Sequence, residues 1–500
     1  MSDGEAGVTL GDAAPAPGSP AGKTDLGLHR SVLGDLRVFG QSVAGIGPSL
    51  GAASLVPLAY ATAAGAGWLT VAIGTVGILF VAGSIAILAR HYASAGALYN
   101  LNPQGLGPWA GALTGANLIA LVLLIIPLAT VGCALSIGAF ASSTGIATFS
   151  NAAYFVTSLI VVGLAAFLAY FDIRLSTSLF LIIELISMVL IIALLVVVLA
   201  HSPRIFDNSQ LTLHGATAHG TLVGVVFIVL VFVGFEGATS LGLESRNPRR
   251  AVPIALLGAV LTVGVFDTFN AYVQSLGFSN LHLSLAASTS PLTTLANRYH
   301  ASALADIVLV GVAFSWFAAL LSWFVYGPRV FLTMSRERLL PRLLTTTSKR
   351  HGSPVVAVTI SFVVCAAVLV VIFAASYSWA NIISYFGSFT GYCAALEYFL
   401  VGGAVIAWTY RRGRISVPIT LCGLGALAVM GLTFYYSFNP LPPYPLRGYI
   451  WAFFGVVVLG LVSYAVLRWR RPDVANQIGT TREDLTAETP AGVSQPEPSL

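Results

Sequence analysis

Charge is scarce in this chain. Of its 500 residues 9% are Asp, Glu, Lys or Arg, while 57% are hydrophobic. A soluble domain carries about 25% charged residues because its surface must face water, so a string of soluble domains is excluded. Lysine occurs twice, at Lys23 and Lys349. The four cysteines, Cys133, Cys365, Cys393 and Cys422, lie inside apolar runs and read as small buried hydrophobes, not as redox or metal groups. The histidines (His29, His91, His201, His214, His219, His282, His300 and His351) fall between or at the ends of those runs, and neither HExxH nor a Cys/His cluster occurs. No metal and no cofactor are therefore expected. A basic stretch followed by a short apolar core does not open the chain, so a cleaved signal peptide is not expected.

Long apolar runs are abundant. Twelve stretches can cross a hydrocarbon core about 30 Å thick, at roughly 38–62, 66–89, 107–139, 152–171, 176–200, 220–243, 252–277, 304–333, 355–375, 380–409, 415–436 and 449–469. In lipid every backbone amide must be satisfied within the protein, which leaves helices or closed barrels. These runs lack the strict alternation of barrel strands. The expectation is an all-α polytopic membrane protein.

The net charge of +5 does not point to nucleic acid, because the arginines follow topology. Alternate connections carry Arg90; Arg174; Arg246, Arg249 and Arg250; Arg336, Arg338, Arg342, Lys349 and Arg350; and Arg411, Arg412 and Arg414, while the opposite set carries Arg204, Arg298 and Arg447. Such a bias places the basic loops, and both chain ends, in the cytoplasm. Residues 1–35 and 472–500 read as disordered cytoplasmic tails.

Two spans are interrupted near mid-membrane. Span one contains Gly45-Ile46-Gly47-Pro48-Ser49-Leu50-Gly51, and span six contains Phe232-Val233-Gly234-Phe235-Glu236-Gly237. Proline removes a backbone donor and glycine relaxes the helix. A plain kink explains either one alone. The pair stands five spans apart, and matched interrupted helices are the sequence sign of an inverted-repeat transporter site. An unwound helix exposes N–H groups on one half and carbonyls on the other, which a zwitterion satisfies with its carboxylate and its ammonium. Glu236, whose burial at membrane depth costs at least about 2.5 kcal/mol, could accept an ammonium or carry a coupling proton.

The stretch from Phe232 through Glu236, Glu244 and Asn247-Pro248-Arg249-Arg250-Ala251-Val252-Pro253 resembles the signature of the amino acid–polyamine–organocation superfamily. Ser94-Ala-Gly-Ala-Leu-Tyr99 is similar to that family's A-G-G-x-Y segment, with Ala97 where a second Gly is usual, and Pro341 with Ser353-Pro354 resembles its bracket around the loop between spans eight and nine. The resemblance implies a leucine-transporter-like core of 5+5 inverted repeats, residues 36–202 and 203–410, followed by two peripheral helices in 411–471. It implies substrate contacts at Ile46, Gly47, Ser49, Leu50, Gly51, Phe232, Gly234, Phe235 and Glu236, with Phe232 or Phe235 lidding the substrate. Similar proton-coupled members carry a basic residue in span five, where this chain has Glu184.

Other carboxylates inside spans, Glu184, Asp267 and Glu397, are either proton carriers or neutral packing residues. Glu184 joins Glu236 as a candidate for proton coupling. Glu244, Arg246, Arg249 and Arg250 could form a cytoplasmic gate, or simply anchor the topology, and Arg329 reads as snorkelling to the interface. Ser315 and Ser322 are two turns apart, a poor pair for sodium. The expected function is a secondary permease of the cell membrane, moving amino acids or related amines by alternating access with protons or by exchange. A membrane-embedded enzyme using the buried carboxylates, and a channel or sensor, are the alternatives.

Overall fold

The structure, a computed structural model, describes residues 23–171, 173–288, 290–413 and 416–485. Its long helices are α1 (Asp35–Ile46), α2 (Val56–Ala63), α3 (Gly67–Ala89), then, after the short strand β1 (Tyr92–Ala93), α4 (Leu98–Leu106), α5 (Pro108–Ser143), α6 (Asn151–Tyr170) and α7 (Ile173–His201). They continue as α8 (Ala218–Val231), α9 (Pro248–Asn280), α10 (Ser302–Arg336), α11 (Val355–Ala374), α12 (Trp379–Arg411), α13 (Val417–Phe438) and α14 (Leu446–Arg470), ahead of strand β2 (Glu483–Asp484). Outward faces are apolar, with Ile160 and Val189 among the exposed large side chains, as a lipid-facing surface requires.

Among the described residues, eleven helical stretches are long and apolar enough to cross a membrane, one fewer than the twelve expected. The difference falls in the first span. Helix α1 stops at Ile46, and Gly47 takes a left-handed conformation at φ 66°. The chain then passes through a short turn (Pro48–Leu50) and a π-helical stretch (Gly51–Leu55) into α2. A 3-10 turn at Ala64–Ala66 leads into α3. A break at mid-depth halves the helix, so neither half reaches spanning length by itself.

Between apolar helices in lipid, association rests on close packing and hydrogen bonds. Here α9 packs on α3, α10 on α5 and α7, and α12 on α13 and α5. The two interrupted segments lie inside this bundle.

The tails depart from expectation. Residues 1–22 and 486–500 lie outside the described residues, but the parts next to the bundle are packed. Leu28 and Leu33 are buried, and the Val32 and Leu33 N–H groups donate to the Glu244 carbonyl at 2.8 and 2.9 Å. At the other end β2 pairs antiparallel with β1, and Arg30 forms an ion pair with Glu483. Composition marked both segments as polar, Gly- and Pro-rich chain; a few apolar anchors (Leu26, Leu28, Val474 and Ile478, all buried) suffice to hold them down. Both described ends thus meet on the face that carries the arginine-rich connections.

Candidate functional site

The two breaks touch. A Cβ added to Gly45 would stand 2.3 Å from the Gly234 carbonyl oxygen, and one added to Gly234, at φ 108°, would stand 2.4 Å from that of Gly45. Backbone meets backbone with no room for a side chain on either side. Beyond Gly234 the chain continues as a 3-10 helix, Phe235–Leu241. Of the nine expected substrate residues, eight are buried and Leu50 is half-buried.

Several of the freed backbone groups find partners in other side chains, since a buried orphan costs about 1–3 kcal/mol. Ser42 on α1 donates to the Phe235 carbonyl at 2.7 Å. Gln41 donates to the Ser322 hydroxyl at 2.8 Å, tying α1 to α10. Glu236 turns back on its own break: Oε2 accepts the Gly234 N–H at 3.0 Å and the Tyr398 hydroxyl of α12 at 2.6 Å. Oε1 of Glu236 is buried without a hydrogen-bond partner among the described residues. A carboxylate oxygen with an open lone pair, beside an unwound helix, is an acceptor suited to a cation or a proton.

Glu184 is brought to the first break. It accepts from Ser315 of α10 at 2.9 and 3.1 Å, and a Cβ on Gly47 would be 3.5 Å from the Ser315 hydroxyl. Next to it the Ser187 hydroxyl donates to the Gly311 carbonyl at 2.7 Å and stands 2.5 Å from the Ser49 hydroxyl. Ser315 and Ser322 are therefore spent on Glu184 and Gln41. The π-helical stretch has its own partners: Asn270 and Gln274 of α9 donate to the Ala52 carbonyl at 3.3 and 2.8 Å.

A cavity of ≈ 380 Å³ lies at the end away from the arginine-rich face, lined by Ala53, Ser54, Ser136, Thr293, Trp316 and others. None of the nine expected residues lines it. Phe235 packs on Tyr398, with ring centroids 5.4 Å apart, Phe232 is fully buried, and neither phenylalanine lines the cavity. Trp316 does, one residue from the Ser315–Glu184 contact. The cavity also reaches the interrupted first span itself, at Ala53 and Ser54 of the π-helical stretch.

The expected gate is not assembled as read from sequence. Glu244 does not pair with Arg246, Arg249 or Arg250, which are exposed; Arg250 stands 3.7 Å from Asp35. Glu244 instead binds Arg329 in a buried two-pronged pair, Nε–Oε2 2.6 Å and Nη2–Oε1 3.2 Å. Arg329 is 3% exposed and does not snorkel. Its nearest carboxylate is 85 positions away in the chain, a partnership that spacing cannot display. Tyr398 and Asn117, which hold Glu236 and Glu397, were missed for the same reason. The surviving clue was that Tyr398 follows Glu397 directly in an otherwise apolar run.

Helices crossing a membrane, two of them broken against each other, define a multi-pass membrane transporter. The fold is leucine-transporter-like: a solved structure described as MhsT in complex with L-phenylalanine superposes with a TM-score of 0.56 at 14% identity, covering 80% of this chain and 98% of that one. The pattern of the amino acid permease family matches residues 36–468, and the chain belongs to that family. An uncharacterized transporter of Mycobacterium tuberculosis is 30% identical over 319 residues, 62% of this chain and 68% of its own. The branched-chain amino acid permease BcaP of Lactococcus lactis is 26% identical over 132 residues, 26% of this chain and 28% of its own.

Proposed function

We propose that the protein is an alternating-access permease for amino acids or related amines in the cell membrane, with its arginine-rich face and both ends in the cytoplasm. The observation that carries this reading is the mutual contact of the two breaks with the open Oε1 of Glu236 beside them. An α-amino acid inserted there has both its charged groups answered: N–H donors of the unwound segments take the carboxylate, and Glu236 with free carbonyls takes the ammonium. Residues 36–202 and 203–410 act as the two repeats, and 411–471 as peripheral helices. The relatives named for branched-chain amino acids and for glutamate/gamma-aminobutyrate exchange support cargo of this class. The closed arginine-rich face, locked by Glu244–Arg329, and the cavity at the other end support a state open away from the cytoplasm. Trp316, not Phe232 or Phe235, is then the lid. Glu184 and Glu236, one at each break, are the proton-carrying groups, with protons or a counter-substrate supplying the drive.

The test is uptake of a tritiated mixture of the twenty L-amino acids and spermidine into proteoliposomes. Saturable uptake without electrical leak is expected from the wild type; a leak current would mark a channel. Glu236→Gln should cut uptake at least tenfold, with unchanged amounts of folded protein. Wild-type uptake by that variant would remove Glu236 from the site.

A further inference from the structure

The cavity of ≈ 380 Å³ at the end away from the arginine-rich face is built from uncharged residues. Among the described residues that line it, none is Asp, Glu, Lys, Arg or His. The polar ones are Ser54, Ser136, Ser290, Thr293 and Trp316, set among aliphatic side chains of α5, α10 and α12. Two carboxyl groups close by are turned to other partners. Asp306, two residues before the lining Val308, accepts from the Ser143 hydroxyl at 2.7 Å. Glu184 accepts from Ser315, the residue before Trp316. One part of the wall is fixed by close contact: a Cβ on Gly132 of α5 would stand 2.4 Å from two atoms of the Trp316 indole and 2.6 Å from a third. The ring therefore lies against the α5 backbone, where only glycine leaves room for it, and both residues line the cavity.

We infer that this cavity receives the cargo's side chain, and that the cargo is an amino acid whose side chain is uncharged and mainly apolar. The inference rests on the permease reading, in which the α-carboxylate and the α-ammonium are answered at the breaks. The cavity borders the first of these, at Ala53 and Ser54 of the π-helical stretch, so a side chain projecting from the α-carbon has this space beside it. A leucine or phenylalanine side chain exchanges water for contact with aliphatic groups and the indole, which is favourable. A lysine, arginine, aspartate or glutamate side chain meets only hydroxyls and an indole there, and its charge is left unpaired. Spermidine brings several ammonium groups and has the same difficulty more than once. Gly132 and Trp316 determine specificity by setting how far the side chain reaches. The cargo is thereby narrowed from amines at large to neutral amino acids.

The experiment measures half-saturation separately for tritiated L-leucine, L-phenylalanine, L-lysine, L-glutamate and spermidine in proteoliposomes. Leucine or phenylalanine is expected to saturate about a hundredfold lower, or more, than lysine, glutamate and spermidine. Ser136→Asp, which brings a carboxyl group into the cavity, should narrow the gap between lysine and leucine about tenfold; a gain for lysine is not a result that misfolding produces. Trp316→Phe, with a smaller ring over Gly132, should shift preference from leucine towards phenylalanine about tenfold. That ratio is read within one preparation and does not depend on how much of the protein is folded. Wild-type protein that takes up lysine, glutamate or spermidine as well as leucine and phenylalanine overturns the inference and leaves the permease reading standing, as does an unchanged ratio in either variant. No saturable uptake by the wild type from the full mixture of amino acids and spermidine overturns both.

Discussion

Ala97 shows how a single residue departs from its family's pattern at a cost. It holds φ 49° and ψ −131° at the start of α4, where the resembling segment has glycine. A side chain in such a conformation stores about 1 kcal/mol or more. Ala97→Gly should therefore raise the melting temperature of the purified protein, despite glycine's greater freedom when unfolded; a lower melting temperature would show that no strain is held there. At the neighbouring Gly96 the opposite applies, since a Cβ would stand 1.8 Å from Oδ1 of Asn100. At this scale much was legible. Gly45, Gly47, Gly234 and Glu236 were visible because glycine, proline and charge are conspicuous in a run of apolar residues. Tyr398 and Asn117 were not, because a hydroxyl or amide inside a span looks like packing until its partner is known.

Among the elements, one carboxyl group adds to what holds the C-terminal segment. Glu337, just past the end of α10, accepts from the Tyr99 hydroxyl and from the N–H groups of Gly479 and Thr481, the latter two at 2.8 and 2.7 Å. Burial pushes its carboxyl above the usual glutamate value of 4.5, against the pull of these hydrogen bonds. With the folded value above the unfolded one, the sign is fixed. The contribution of Glu337 to stability is full below the ordinary glutamate range and declines as pH rises through the folded value. Melting temperature should thus fall from acid towards neutral pH in part through this group, and Glu337→Gln should flatten that dependence. An unchanged slope in the variant would assign it to other groups. That polar tail residues lodge against the bundle could not be read from composition, because a few contacts outweigh the average character of a segment.

For the molecule as a whole, the pair Glu244–Arg329 ties the end of the second interrupted segment to α10 on the arginine-rich face. Removing one member of a buried ion pair costs about 3–5 kcal/mol because the other charge stays desolvated. Arg329→Met should accordingly lower the melting temperature sharply, and adding Glu244→Gln should recover most of the loss, since no buried charge then remains. If the double replacement is as unstable as the single one, the pair is not the source of the effect. Under the proposed alternating access the same pair parts when this face opens, so the double variant should also show altered accessibility from that side, measured by cysteine labelling in sided vesicles.

The membrane class, the places of the two interruptions and the crowding of arginine on alternate loops were all decided by the order of residues. Each of these depends on local composition: apolar length against bilayer thickness, glycine and proline against helix continuity, charge against translocation. Which carboxyl group faces which hydroxyl, that Glu244 chooses Arg329 over the three arginines beside it in the chain, and that Trp316 and neither Phe232 nor Phe235 lines the cavity were decided by the packing of helices. Those pairings join residues tens to hundreds of positions apart, and their energies come from excluding lipid and water around both partners at once, a condition that exists only after the bundle has closed.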